Sequence, residues 1–141
     1  MNTNRRIERS AQLLPFFEFL TLENVVFSTK DLKKYNQKVI INFFSPSCEH
    51  CQYMAKQYLK NKELFKGVTI LMITISDSSE LAKFNKDYQL KFVNNIILLR
   101  DTKFQFFNIF ETTTVPSFFV YKNKILVHKI IGETKIENLL N

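Results

Sequence analysis

The sequence predicts an α/β domain: a sheet of mainly parallel strands covered on both faces by helices, with a hairpin at one edge. Three observations carry this. Continuous apolar runs, as at Val39–Phe44 and Val68–Ser76, are what a strand buried on both faces requires. Segments of helical period separate those runs. The order is strand–helix–strand early in the chain and strand–strand–helix at its end. With 141 residues, 45% of them hydrophobic, the chain suits one domain with a core that needs no disulfide staples.

Taken in order, residues 1–19 read as a polar N-terminal arm and 20–141 as the domain. Leu20–Phe27 reads as a strand, with Thr29 capping a short helix through Tyr35. Val39–Phe44 is a buried strand. Cys51–Phe65 is helical, because Met54, Ala55, Tyr58 and Leu59 share one face and lysines occupy the others. Gly67 ends it, and Val68–Ser76 is the next strand. Ser78 or Ser79 caps a helix over Glu80–Tyr88 that turns Leu81, Phe84 and Tyr88 inward. Ile96–Leu99 is a third buried strand, followed by a helix over Phe104–Phe110. Ser117–Tyr121 and Ile125–Ile131 form a hairpin through Lys122-Asn123-Lys124, and Lys135–Leu140 closes as a helix.

Cys48 and Cys51 are the only cysteines, and they fall where a buried strand hands over to a helix. Two cysteines dropped at random into 141 residues would lie three apart about once in 70 draws. Unpaired N–H groups and the positive end of the helix dipole favour a thiolate at this place, so the pair points to thiol–disulfide exchange. Two blander readings use the same residues. The cysteines can be small core hydrophobes, or half of a zinc site with His50 and His128.

The net charge of +7 does not mark a nucleic-acid binder: the lysines are scattered singly, and only Arg5, Arg6 and Arg9 cluster. The 15 phenylalanines read chiefly as core. No apolar run approaches a membrane span, so no membrane insertion is expected. Leu13–Leu20 is too short for an export signal and is broken by Pro15 and Glu18. The folded pattern nevertheless starts so early that a chain trimmed of such a signal would look the same. The expected location is the periplasm in that case and the cytoplasm otherwise.

Three landmarks in order carry a resemblance over about Leu20–Leu140: Cys48-Glu49-His50-Cys51, Thr114-Val115-Pro116-Ser117 with the strand behind it, and Gly132 before the last helix. The chain resembles the thioredoxin superfamily, and within it the redoxin branch of TlpA- and ResA-like proteins. The resemblance implies a thioredoxin fold with a central mixed sheet and helices on both faces. The stretch from Cys51 to Pro116 carries an added helix–strand unit, at Glu80–Leu99, as in the TlpA-like branch. It also implies a thiol–disulfide oxidoreductase that reduces or isomerises protein disulfides, with Cys48 attacking and Cys51 resolving. Pro116 is implied to be cis, with Val115 pairing with an extended client segment.

An imidazolium at His50 would stabilise the Cys48 thiolate and make the disulfide more oxidising. Glu49 would oppose it, directly or by pairing with His50. The implied partners are a client protein with a disulfide or dithiol and an upstream redox protein. No cofactor, metal or nucleic acid is implied, and a monomer is expected.

The family pattern also fails at four places. The buried acid of thioredoxins is Asn42, the glutamate of ResA-like members is Met54, the tryptophan before the motif is Ser47, and the proline in the helix is Lys56. No base for Cys51 is therefore evident. A peroxidase of the peroxiredoxin branch would want threonine where Ser45 stands, with a proline upstream; here Pro46 follows it. The remaining alternatives are a metal-binding or a redox-inactive interaction module of the same fold.

Overall fold

The computed structural model describes residues 12–32 and 38–141. Seven strands form one mixed sheet among the described residues: β1 (Glu18–Leu20), β2 (Val26–Ser28), β3 (Lys38–Phe43), β4 (Val68–Thr74), β5 (Ile96–Arg100), β6 (Ser117–Lys122) and β7 (Ile125–Ile131). Their spatial order is β2-β1-β5-β4-β3-β6-β7. Only β3–β4 and β4–β5 pair in parallel. The sheet is thus less parallel than the apolar runs suggest, and it carries a hairpin at both edges. The cause lies in the first expected strand. Leu20–Phe27 is broken by a turn in which Asn24 takes a left-handed conformation (φ 65°) and Thr21 receives the N–H groups of Val25 and Asn24, so β1 and β2 fold back on each other.

Among the described residues four α-helices flank the sheet: α1 (Glu49–Lys60), α2 (Ser78–Asp87), α3 (Phe106–Phe110) and α4 (Ile136–Leu140). Side chains alternate along β3, so Ile40 faces a core with Met54, Ala55, Leu81, Phe84, Ile136 and Leu139 from α1, α2 and α4. Val39, Ile41 and Phe43 face the opposite core, closed by Phe106 and Phe110 of α3 together with Phe17 and Phe19. Burial on both faces is why β3 reads as one unbroken apolar run. Phe43 stacks on Phe106 (ring centroids 4.1 Å apart), and Phe106 on Phe110 (4.5 Å). Ten of the 15 phenylalanines are buried, so most of their abundance is core, while Phe16, Phe92, Phe104 and Phe107 are exposed.

Several ends differ from expectation. α1 starts two residues earlier than expected and yields at Asn61 to a 3₁₀ turn, Lys62–Phe65. α2 is capped by Asp77, whose carboxylate accepts the Glu80 N–H at 2.9 Å, and not by Ser78 or Ser79. Ser28, not Thr29, caps a short 3₁₀ turn, Thr29–Asp31; the rest of the helix expected through Tyr35 lies outside the described residues. Of the expected arm, Leu13 bridges to Ile125, Phe17 and Phe19 are buried, and β1 begins at Glu18. The added unit Glu80–Leu99 supplies α2 and β5, and β5 lies between β4 and β1. No helix among the described residues is long and apolar enough to cross a membrane.

Candidate active site

Cys48 occupies the N-cap of α1, with extended backbone (φ −85°, ψ 120°). Its sulfur takes the part that a serine or aspartate oxygen plays at other helix starts: it accepts the Cys51 N–H at 3.2 Å. This pairing follows from the spacing, since the first-turn N–H that an N-cap side chain reaches is two or three residues on. Cys48 is partly exposed, whereas Cys51, one turn into the helix, is 1% exposed. Burial raises the Cys51 thiol above its ordinary value of 9.0. A side-chain hydrogen bond with Cys48 adds to the rise, and the Ser45 backbone opposes it. Cys51 thus keeps its proton at neutral pH, while Cys48 presents its sulfur to solvent.

The Val115–Pro116 segment faces this sulfur. The peptide bond between the two residues is cis, and the Cys48 Sγ lies 4.0 Å from the Val115 carbonyl oxygen. The Gly132 N–H donates to the Pro116 carbonyl oxygen at 2.8 Å, tying the end of β7 to the same segment. Gly132 has φ +98°, and a Cβ there would meet nothing within 4 Å, so backbone conformation and not close approach calls for glycine. The three landmarks of the sequence thus converge at one end of the sheet. A groove of about 250 Å³ lies beside the cysteine motif, lined by Pro46, Ser47 and Gln52 on one side and by Glu80, Lys83 and Phe84 of α2 on the other.

His50 and Glu49 do not pair with each other. His50 Nδ1 is 2.9 Å from Oε1 of Glu133, the residue after Gly132. Glu49 is exposed in the first turn of α1, where a carboxylate suits the helix dipole. His128 is remote from the motif in its bonding, with Nε2 3.0 Å from the Asn141 carbonyl oxygen. No three His, Cys, Asp or Glu side chains among the described residues are grouped to hold a metal ion.

On the inner side of Cys51, Asn42 is 1% exposed. Its Oδ1 accepts the Tyr58 hydroxyl at 2.8 Å, and its Nδ2 donates to the carbonyl oxygens of Phe43 and Ser117, each at 3.3 Å. Burial raises the Tyr58 phenol above its ordinary 10.0, and negative charge on Cys51 adds to the rise. Met54 is fully buried in the same core. Glu133 and Tyr58 are the two site residues that the sequence reading missed. Tyr58 lies seven residues after Cys51 on the buried face of α1, and Glu133 directly follows the landmark glycine.

Solved structures of the same architecture span the whole domain. A thioredoxin family protein described as a thiol:disulfide interchange protein, from Chlorobium tepidum TLS, superposes with a TM-score of 0.75 at 18% identity, covering 92% of this chain and 93% of that one. Mycobacterium tuberculosis DsbF gives 0.74 at 20% identity, covering 93% and 92%. A secreted disulfide oxidoreductase of M. tuberculosis, homologous to E. coli DsbE, gives 0.70 at 18% identity, covering 94% of each chain. The fold is therefore that of thioredoxin. No protein of curated function matches the sequence. Residues 11–130 match the AhpC/TSA family, most of the chain and all of the site up to β7. By that match the chain belongs to the AhpC/TSA family.

Proposed function

We propose that this chain is a thiol–disulfide oxidoreductase acting on protein disulfides, with Cys48 as the attacking and Cys51 as the resolving thiol. The observation that carries the reading is the contrast between the two sulfurs. Cys48 Sγ is reachable and accepts a first-turn N–H at the positive end of a helix of 12 residues, while Cys51 is sealed in the core with its thiol raised. Structural neighbours described as a disulfide oxidoreductase and as a thiol:disulfide interchange protein support it.

The Cys48 thiolate attacks one sulfur of a client disulfide. That S–S bond breaks, a client thiolate leaves, and a mixed disulfide forms. Cys51 then loses its proton and attacks the Cys48 sulfur, which releases the second client thiolate and leaves a Cys48–Cys51 disulfide. The client gains two electrons and two protons, and an upstream dithiol protein returns the pair to its reduced form. The client segment lies along Val115, whose carbonyl faces the Cys48 sulfur, with Pro116 fixing the turn behind it. Chain Cys51→Ser, incubated with a disulfide-bonded protein, should accumulate a mixed disulfide through Cys48, and Cys48→Ser should accumulate none. The reverse pattern would exchange the two roles, and no adduct with either variant would end the exchange reading.

A further inference from the structure

We propose that Glu133 is a positioning residue of the redox pair: through its contact with His50 it sets the Cys48–Cys51 couple toward the reducing side. The inference rests on the exchange reading above and adds a residue that lies 82 positions beyond Cys51 in sequence.

His50 sits between the two cysteines in the first turn of α1. A charged imidazole there stabilises the thiolate of the reduced form and so makes the disulfide a better oxidant. In this chain the ring is not left to act alone. Its Nδ1 is 2.9 Å from Oε1 of Glu133, and because a carboxylate only accepts, Nδ1 carries the proton. Glu133 is itself held, since the Gly132 N–H before it is bound to the Pro116 carbonyl oxygen. The contact therefore joins the loop after β7 to the cysteine motif. A carboxylate at that distance turns the imidazolium from a unit charge into half of an ion pair, whose pull on a nearby thiolate is weaker.

The sign does not depend on the ring's protonation. Changing Glu133 to glutamine makes the net charge of the pair one unit more positive if the ring keeps its proton, and leaves it unchanged if the ring loses one. In neither case does the change disfavour the thiolate. Both side chains are exposed (70% for His50 and 39% for Glu133), so the effect is modest. On its own element, His50 has Glu49 and Cys51 as sequence neighbours, with Cys48 at the N-cap.

The test is a glutathione redox titration at about pH 7, where the sign of the expected shift is the same for either protonation state of the ring. The reaction balances as one Cys48–Cys51 dithiol plus one glutathione disulfide giving one Cys48–Cys51 disulfide plus two glutathione thiols. Glu133→Gln, which keeps an acceptor for Nδ1 but removes the charge, should shift the equilibrium about three- to tenfold toward the dithiol, up to about 30 mV. The same change in a His50→Gln background should shift it less than about twofold, and Glu133→Asp should stay near the parent. An equilibrium unmoved by Glu133→Gln, or a shift of equal size without His50, overturns the proposal while leaving the exchange reading intact. A parent chain that forms no Cys48–Cys51 disulfide in glutathione overturns both.

Discussion

The hydroxyl of Tyr58 donates to Oδ1 of Asn42 over 2.8 Å, and this bond closes the inner side of the cysteine pair. Asn42 stands where thioredoxins carry a buried acid. Its amide is spent on two backbone carbonyls, and an amide oxygen accepts a hydrogen bond but not a proton. The phenol, raised by burial, is no acid at neutral pH, and its oxygen already donates. Among the described residues, neither member of this buried pair can therefore serve as a base beside Cys51.

Restoring a carboxylate should then accelerate resolution. Asn42→Asp is expected to speed release of the mixed disulfide by about tenfold or more, the low end of what a placed base contributes or below it. The variant should also be less stable, because the Ser117 carbonyl loses the Nδ2 donor and faces a carboxylate oxygen instead. Stopped-flow decay of the mixed disulfide measures the rate. An unchanged rate would show that proton removal does not limit this step.

Removing only the phenol hydroxyl isolates the other half of the pair. Tyr58→Phe keeps the ring against Phe65 (centroids 5.3 Å apart) and leaves Oδ1 of Asn42 buried without its donor. The expected cost is about 1–3 kcal/mol in urea unfolding of the reduced protein. A loss below about 0.5 kcal/mol would mean that the amide finds another donor as good.

The cysteine centre was legible because every signal for it is local. An apolar run marks the strand, the N-cap position follows within a few residues, and the helix period buries Cys51 while leaving Cys48 out. Tyr58–Asn42 and His50–Glu133 were not legible. Their partners are 16 and 83 residues apart, and only the sheet order brings β3 under α1 and the end of β7 beside its first turn. The first hairpin was hidden for a different reason. Leu20, Leu22, Val25, Val26 and Phe27 outweigh Glu23-Asn24 in an apolar count, yet one left-handed Asn24 reverses the chain. Asp77 took the cap from Ser78 and Ser79 because it stands first, three residues before the N–H it accepts.

The raised thiol and phenols make the reduced protein sensitive to alkali. A group whose folded value is raised binds its proton more tightly in the folded state. Its contribution is whole below the unfolded value and is lost as pH rises past it toward the folded value. For Cys51 the loss begins near 9.0, and for Tyr58 and Tyr121 near 10.0, all three raised chiefly by burial. Urea unfolding between pH 8 and 10 should therefore show the reduced protein losing stability sooner than the Cys48–Cys51 disulfide form, which has no thiol to titrate. Parallel curves for the two forms would contradict the raised Cys51.

The two glycines separate backbone cost from site geometry. Gly67 (φ +80°) and Gly132 (φ +98°) both lie in the region that disfavours a Cβ, and a Cβ at either would meet nothing within 4 Å. Alanine at each should cost about 1–2 kcal/mol from conformation alone, with similar losses in thermal unfolding. Their positions differ. Gly67 precedes β4 at the end of that strand away from the cysteines, whereas the Gly132 N–H holds the Pro116 carbonyl and its neighbour Glu133 meets His50. Gly132→Ala should therefore slow exchange with a disulfide-bonded client well beyond its stability loss, while Gly67→Ala leaves exchange at the parent rate at temperatures where both variants are folded. Equal exchange rates for the two would mean that the tie between β7 and the proline segment supports the fold and not the chemistry.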